Sequence, residues 1–347
     1  MSQKVFVGLS GGVDSSVAAL RLLKAGYDVT GVFIKVWHPD FLVCNWEQER
    51  LDAMRVAAKL GIPFLTCDAE AAYRDEVAHY FIESYRQGLT PNPDVMCNKE
   101  VKFGAFMRFA SEHGADCIAT GHYATRRGEE LHRGIDTNKD QSYFLWTLSP
   151  EQLAYTLLPV GDSTKDIIRA EAAEAGLLTA QKKDSQGVCF LGHIDIPDFL
   201  SHYIDLTPGN VLDESDTVIG THRGAFVYTV GQRHGFALHT TTTSSAPHYV
   251  TGKNIEKNTI TVSTVPPEAT RGTDLILRSV MLRQPLTIGD TLEAQTRYRQ
   301  KPCIVTVTGL TNETLTLRID SATEAVAPGQ SCVLYRGSLC LGGGIIS

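Results

Sequence analysis

GLSGGVDSS, residues 8–16, decides the fold. An apolar run at residues 4–9 precedes it. A helical pattern at residues 15–24 follows, stopped by Gly26. Gly11 and Gly12 can take dihedrals closed to other residues and let the backbone approach a ligand. Successive N–H groups in such a turn form an anion nest, and the helix N-terminus adds a positive dipole end. Ser10, Ser15 and Ser16 supply hydroxyls. The plain alternative is a Ser/Gly turn with Asp14 or Ser15 as N-cap. A strand before and a helix after favour a phosphate site. The stretch is not a Walker A loop, because no Gly-Lys-Ser/Thr closes it, and it is not GxGxxG.

Outward from this loop, strands and helices alternate. Residues 29–36 read as a second strand, and 47–60 as a helix ended by Gly61. Residues 62–67 form a third strand, 70–87 a long helix, 103–113 another, and 117–120 a fourth strand. That order implies an α/β domain with a parallel sheet covered on both faces. Ligands of such sheets bind at the carboxyl ends of the strands. After Pro208-Gly209 long helical patterns vanish and short β-branched runs appear, such as 259–265 and 304–308, which reads as β-rich. Pro266-Pro267 marks a second boundary. Three domains are expected: 1–205, 206–267 and 268–347. TTTTSS, residues 240–245, reads as a flexible loop.

At 347 residues the chain exceeds one ordinary core. Its hydrophobic content is 43% and its charged content 20%, the balance of a globular protein. No apolar run approaches the ~20 residues of a membrane span, and MSQK leads straight into a strand pattern, so a cytoplasmic protein is expected. Net charge of −7 argues against coating nucleic acid through a bulk basic surface. Eight cysteines without a close CxxC or CxxH pair point to buried or reactive thiols, not to a zinc site.

Two of those thiols stand out. TPNPDVMCN, residues 90–98, pins Asn92 between two prolines and carries Asp94 and Cys97. KKDSQGVCFLG, residues 182–192, has an Asp-Ser/Gly turn before Cys189. Each could be an inert buried cysteine. As a pair on turns, one could carry a sulfur atom while the other attacks or resolves. A reactive thiolate needs a nearby cation or helix N-terminus, and Lys99, Lys182 and Lys183 are candidates by sequence proximity.

The loop SGGVDSS resembles that of the PP-loop ATP pyrophosphatases, which cleave ATP to AMP and pyrophosphate and adenylate a substrate oxygen. NPDVMCN followed by KEVKF, TGHYA at 120–124, KDQSYFL at 139–145, VGQRHG at 230–235, PGQSCVLYRG at 328–337 and the terminal LGGGII narrow the match. Together they resemble the tRNA-specific 2-thiouridylase family over nearly the whole chain. The resemblance implies an adenine nucleotide alpha hydrolase-like first domain followed by two small β-rich domains, the last a β-barrel. It implies an ATP-dependent tRNA-uridine 2-sulfurtransferase acting on the wobble base. Cys97 would be the nucleophile, Cys189 the persulfide carrier and Asp94 the acid/base. ATP contacts would fall on Gly8, Leu9, Ser10, Gly11, Gly12, Val13, Asp14, Ser15, Ile34 and Gly121. Magnesium is expected with the pyrophosphate, and no dedicated metal site. A transient disulfide between Cys97 and Cys189 is expected under turnover. The implied partners are tRNA (Glu, Gln and Lys acceptors) and a protein persulfide donor, a cysteine desulfurase or relay.

A base in a folded anticodon loop must be flipped to reach a pocket. By the resemblance Asn92, Pro93 and Asp94 face the target uridine, and Lys139, Asp140, Gln141, Arg297 and Tyr298 contact tRNA. TRYRQK, residues 296–301, alternates basic and aromatic residues in a predicted strand. One departure is KVWHPDFLVCNW, residues 35–46, longer than the family's usual segment and containing Cys44. Two rivals remain at this stage. A small-molecule adenylating ligase needs neither cysteine. A non-catalytic RNA-binding protein with a relic loop would not need the intact SGGVDSS.

Overall fold

The computed structural model describes residues 2–42, 46–183, 189, 192, 194–239, 246–269, 271–321 and 323–347. Cys44, the Asp184–Gly187 turn and the TTTTSS stretch lie outside them. The chain divides into two compact units. The first holds Met1–Ala78, Pro93–His193 and Tyr335–Gly342; the second holds His79–Asn92, Ile194–Leu334 and Gly343–Ser347.

In the first unit, β1 (Lys4–Gly8) leads through the glycine loop into α1 (Val13–Lys24). There follow β2 (Asp28–Lys35), α2 (Trp46–Leu60), β3 (Phe64–Asp68) and β4 (Cys117–Ala119). A hairpin, β5 (Ala124–Arg127) and β6 (Glu130–Arg133), precedes the two-residue β7 (Thr156–Leu157). The sheet order is β3-β2-β1-β4-β7, and all its pairings are parallel. Runs such as Val5-Phe6-Val7 and Ile118-Ala119 are buried at 0–1% exposure, because helices cover both faces. On one face Val13, Val17 and Leu20 of α1 pack with Ala53 and Val56 of α2 and Ile168 of the helix Lys165–Glu174. The order reverses between β1 and β4, so the loops after these two strands flank the switch point where such sheets bind ligands.

The expected long helix over 70–87 is broken. A short α-turn Glu70–Ala72 gives way to a π-helix Tyr73–Ala78, then to an α-helix His79–Arg86. A second π-helix, Cys97–Ala105, runs between the one-turn helix Pro93–Met96 and the α-helix Phe106–Glu112.

In the second unit, β8 (Gly209–Leu212), β9 (Val218–His222), β10 (Phe236–Leu238), β11 (Tyr249–Asn254) and β12 (Thr259–Ser263) form a sheet ordered β10-β9-β8-β12-β11. The short β13 (Glu268–Ala269) pairs with β18 (Thr323–Glu324). In the C-terminal region β14 (Asp274–Leu282), β15 (Thr291–Gln295), β16 (Cys303–Leu310), β17 (Leu315–Ile319), β19 (Ser331–Arg336) and β20 (Leu339–Ile346) close into a six-stranded barrel. Its order is β14-β17-β16-β15-β19-β20, with β20 returning to β14. The terminal glycines are packing residues: a Cβ on Gly343 would lie 2.2 Å from the Cys332 carbonyl oxygen, and one on Gly344 2.9 Å from Leu277 Cβ.

Candidate active site

The glycine loop is organised by its own hydroxyls. Ser15 Oγ accepts from Ser10 N–H at 3.2 Å and lies 3.2 Å from Ser10 Oγ. Ser15 and Ser16 both donate to the Gly12 carbonyl, at 3.2 and 2.7 Å. Gly12 is the N-cap of α1 and offers no side chain, so neither Asp14 nor Ser15 caps the helix. Gly11 has φ +70°, and a Cβ there would stand 2.7 Å from the Glu49 carbonyl oxygen. That position is closed to other residues on both counts. Gly121, two residues past β4, backs directly onto the start of α1: a Cβ would meet Ser15 N at 2.6 Å. Ile34 on β2 is buried, its Cδ1 3.6 Å from the Cβ position of Gly8. The structure therefore brings residues 8–15, Ile34 and Gly121 together at the switch point.

Asp14 is held from two sides. Lys165 Nζ lies 2.8 and 2.9 Å from its two carboxylate oxygens, and Tyr123 donates its hydroxyl at 2.7 Å. Lys165 is itself buried, at 9% exposure. Sequence reading missed both partners, since they sit 151 and 109 positions away. Among the described residues no group of three or more His, Cys, Asp or Glu could hold a metal ion.

The two cysteines meet. Cys97 Sγ donates to Cys189 Sγ at 3.3 Å, a thiol contact and not a bond. Cys97 stands on the π-helix, not at the end of a turn, and is fully buried. Pro93 starts the helix that carries Asp94, where a missing N–H costs nothing. Asp94 Oδ1 accepts the Cys189 N–H at 2.7 Å, and Tyr73 donates its hydroxyl to the Cys189 carbonyl at 2.9 Å. The cation whose charge bears on the pair is Lys102. Two expected cations are engaged elsewhere: Lys99 pairs with Glu100 and Lys182 with Asp52.

These contacts sort the protons. Burial, and the hydrogen bond it donates to Cys189, push the Cys97 thiol well up. The Cys97 hydrogen bond pulls Cys189 down, and Lys102 adds to it. Burial raises Asp94 against the Cys189 N–H and Lys102. Burial, then the Lys102 charge, hold His122 far below its usual range, so it is neutral, with Nδ1 2.8 Å from Thr120 Oγ1. Cys67 and Cys117 on the strands behave differently, their thiols raised by burial to about 12 and about 11. Cys303, Cys332 and Cys340 are buried as well. The two thiols are thus pushed in opposite directions, Cys97 up and Cys189 down.

The remaining expected residues separate. Asp140 accepts from Gly134 N–H and Ser142 N–H at 3.0 Å each and pairs with Arg133 at 3.3 Å. Gln141 Oε1 accepts the Tyr123 N–H at 2.9 Å. Both side chains are committed within the protein. Lys139 is half-buried on the same turn, and Asn92 and Pro93 are half-buried too. Residues 296–300 form a turn after β15, not the predicted strand. The cause is local: Gln300 folds back to accept Thr296 N–H and Oγ1–H, and Arg299 takes φ +63°. Arg297 donates to the Val230 carbonyl at 2.7 Å, and the Arg299 guanidinium lies over the Tyr298 ring at 5.2 Å.

Three domain models match the chain: a tRNA methyl transferase HUP domain over residues 3–193, a tRNA methyl transferase PRC-barrel domain over 197–264, and an aminomethyltransferase β-barrel domain over 280–346. A protein of Klebsiella pneumoniae subsp. pneumoniae called tRNA-specific 2-thiouridylase MnmA is 45% identical over 355 residues, covering 99% of this chain and 96% of its own length. A Yersinia pestis protein of the same name is 44% identical over 356 residues, with the same coverages.

Proposed function

This chain belongs to the tRNA-specific 2-thiouridylase family, and from that premise we propose that it replaces the C2 oxygen of the wobble uridine of tRNA with sulfur. The observation that carries the reading is the Cys97–Cys189 contact at 3.3 Å beside Asp94 and Lys102. A small-molecule adenylating ligase has no use for it.

ATP binds the loop of residues 8–15, with Ile34 against the adenine and Gly121 admitting the nucleotide close to the α1 N-terminus. The loop's N–H groups take the phosphates. ATP then adenylates the uridine C2 oxygen, releasing pyrophosphate and turning that oxygen into a leaving group. Magnesium would come with the phosphates and offset their charge; the one loop carboxylate, Asp14, is already held by Lys165 and Tyr123.

Cys189, loaded as a persulfide by a protein donor, attacks C2 with its terminal sulfur. The C2–S bond forms, the C2–O bond breaks and AMP leaves. Cys97 loses its proton to Asp94 and attacks the Cys189 sulfur. A Cys97–Cys189 disulfide forms and the sulfur stays on the base. A dithiol then reduces the disulfide. Asn92, Pro93 and Asp94 face the flipped base, while Lys139, Arg297 and Tyr298 hold tRNA. Asp140 and Gln141, on the same turn as Lys139, face tRNA with it, and their side chains hold that turn through Gly134, Ser142 and Tyr123.

The test supplies unmodified tRNA, ATP and a persulfide donor, followed by nucleoside mass spectrometry. The reading expects 2-thiouridine, with AMP and pyrophosphate each formed once per sulfur. ATP cleavage that needs no tRNA, with uridine unchanged, would overturn it.

A further inference from the structure

The helix Pro93–Met96 runs straight into the helix Cys97–Ala105: Met96, at the join, has helical dihedrals, φ −66° and ψ −39°. Residues three and four places along a helix share a face. Cys97 and Asn98 stand in that relation to Asp94, so the three point the same way. Two of them meet Cys189: Asp94 accepts its N–H at 2.7 Å, and Cys97 reaches its sulfur at 3.3 Å. Asn98 completes the face beside them.

Asn98 is 3% exposed, and the two ends of its amide differ. Nδ2 donates to the Phe144 carbonyl at 3.2 Å, which fixes the way the amide points. Oδ1 is buried and has no hydrogen-bond partner among the described residues. Most buried side-chain acceptors have a donor, because an acceptor cut off from water and left unmatched is costly. A fixed, unmatched acceptor on the face that holds both sulfurs is a place kept for a donor from outside. In a nucleoside the uracil ring has one such donor, N3–H, and it adjoins C2. Its O2 and O4 are acceptors. Cytosine has a lone pair at N3 and no hydrogen.

We propose that Asn98 Oδ1 accepts the N3–H of the target uracil and so selects uridine over cytidine at the reacting position. The inference rests on the thiolation reading and adds to it the residue that reads the base. Because N3 adjoins C2, a base held at N3 by Asn98 presents C2 to the sulfurs on the same helix face. Cys97 and Asn98 are buried together, so the movement that admits a base to the sulfurs uncovers the amide oxygen with them. The Phe144 carbonyl keeps Nδ2 turned away, so the amide cannot flip to offer a donor without losing that bond. Cytosine would set its N3 lone pair against Oδ1. Two acceptors would then face each other with neither paired, which is how a site built for an N–H rejects an analogue that lacks it.

The test compares kcat/KM for thiolation of tRNAs that differ only at the wobble base: uridine, 3-deazauridine, which has a C–H in place of N3–H, and cytidine. The unaltered protein should prefer uridine to 3-deazauridine and make no 2-thiocytidine. Asn98→Ala should lower kcat/KM on uridine and shrink the preference over 3-deazauridine about tenfold, the worth of one buried hydrogen bond left unmade. Intrinsic reactivity of the two bases cancels when the ratio is compared between the two proteins. A merely structural role for Asn98 would slow both tRNAs alike and leave the ratio unchanged. An unchanged ratio in Asn98→Ala, with its fold intact by circular dichroism, would therefore overturn the proposal. So would 2-thiocytidine formed by the unaltered protein as fast as 2-thiouridine, a result that needs no variant to fold. Failure to thiolate uridine at all would overturn the proposed function and this inference with it, whereas thiolation of uridine with an unchanged ratio would overturn this inference alone.

Discussion

Asp14 reads from sequence as an N-cap or an ATP contact. The structure places it between buried Lys165 and the Tyr123 hydroxyl. Asp14→Ala should therefore strand a buried ammonium and cost about 3 kcal/mol of stability, seen as a lower urea midpoint. Asp14→Asn, which keeps the Tyr123 hydrogen bond, should cost less. Ser10→Ala is the cleaner probe of the loop: it removes a hydroxyl that contacts Ser15 and the Gly12 N–H, and should lower pyrophosphate release with little change in the melt. Gly121→Ala is the steric counterpart. Its methyl would meet Ser15 N at 2.6 Å, so calorimetry should find ATP binding weakened at least tenfold. Wild-type ATP affinity in Gly121→Ala would contradict the placement of the nucleotide.

At the scale of elements, the parallel sheet was legible because strand, Gly turn and helix signals agree at each step from β1 to β4. The two-residue β7 was not, since two residues carry no period. The β5–β6 hairpin also escaped, in a stretch left without an assignment. The π-helices were hidden for a physical reason. Their extra residue per turn leaves apolar spacing near the helical one, so residues 70–87 and 103–113 read as plain α-helix. This is why Lys102 went unnoticed while Lys99, nearer in sequence, was named. The pairing of Cys97 with Cys189 was suggested by two turn-borne thiols and made specific by family motifs; spacing alone could not join residues 92 positions apart. The turn at 296–300 reverses a strand assignment yet keeps Arg297 and Tyr298 on a loop, where recognition residues are common. Replacing both with Ala should weaken tRNA binding and flatten its dependence on salt by about one unit of log–log slope, as for one lost phosphate contact. Filter binding across a salt series measures it, and an unchanged slope would count against the site.

On the scale of the whole molecule, the chemistry proposed for ATP and sulfur draws on the first unit, while Arg297 and Tyr298 belong to the second. A chain of net charge −7 cannot hold RNA by its overall field, so its binding must come from local contacts and a fitted base. The account's central claim is that Cys189 carries the sulfur and Cys97 closes the disulfide behind it. A single turnover with persulfide donor, ATP and unmodified tRNA, quenched by alkylation and read by peptide mass mapping, tests it most directly. The account predicts a Cys97–Cys189 disulfide in proportion to the 2-thiouridine formed. In Cys97→Ser the persulfide should stay on Cys189 with little or no thiolated tRNA, and in Cys189→Ser no persulfide should form. Full thiolation of tRNA by both serine variants, with no disulfide in the unaltered protein, would contradict it.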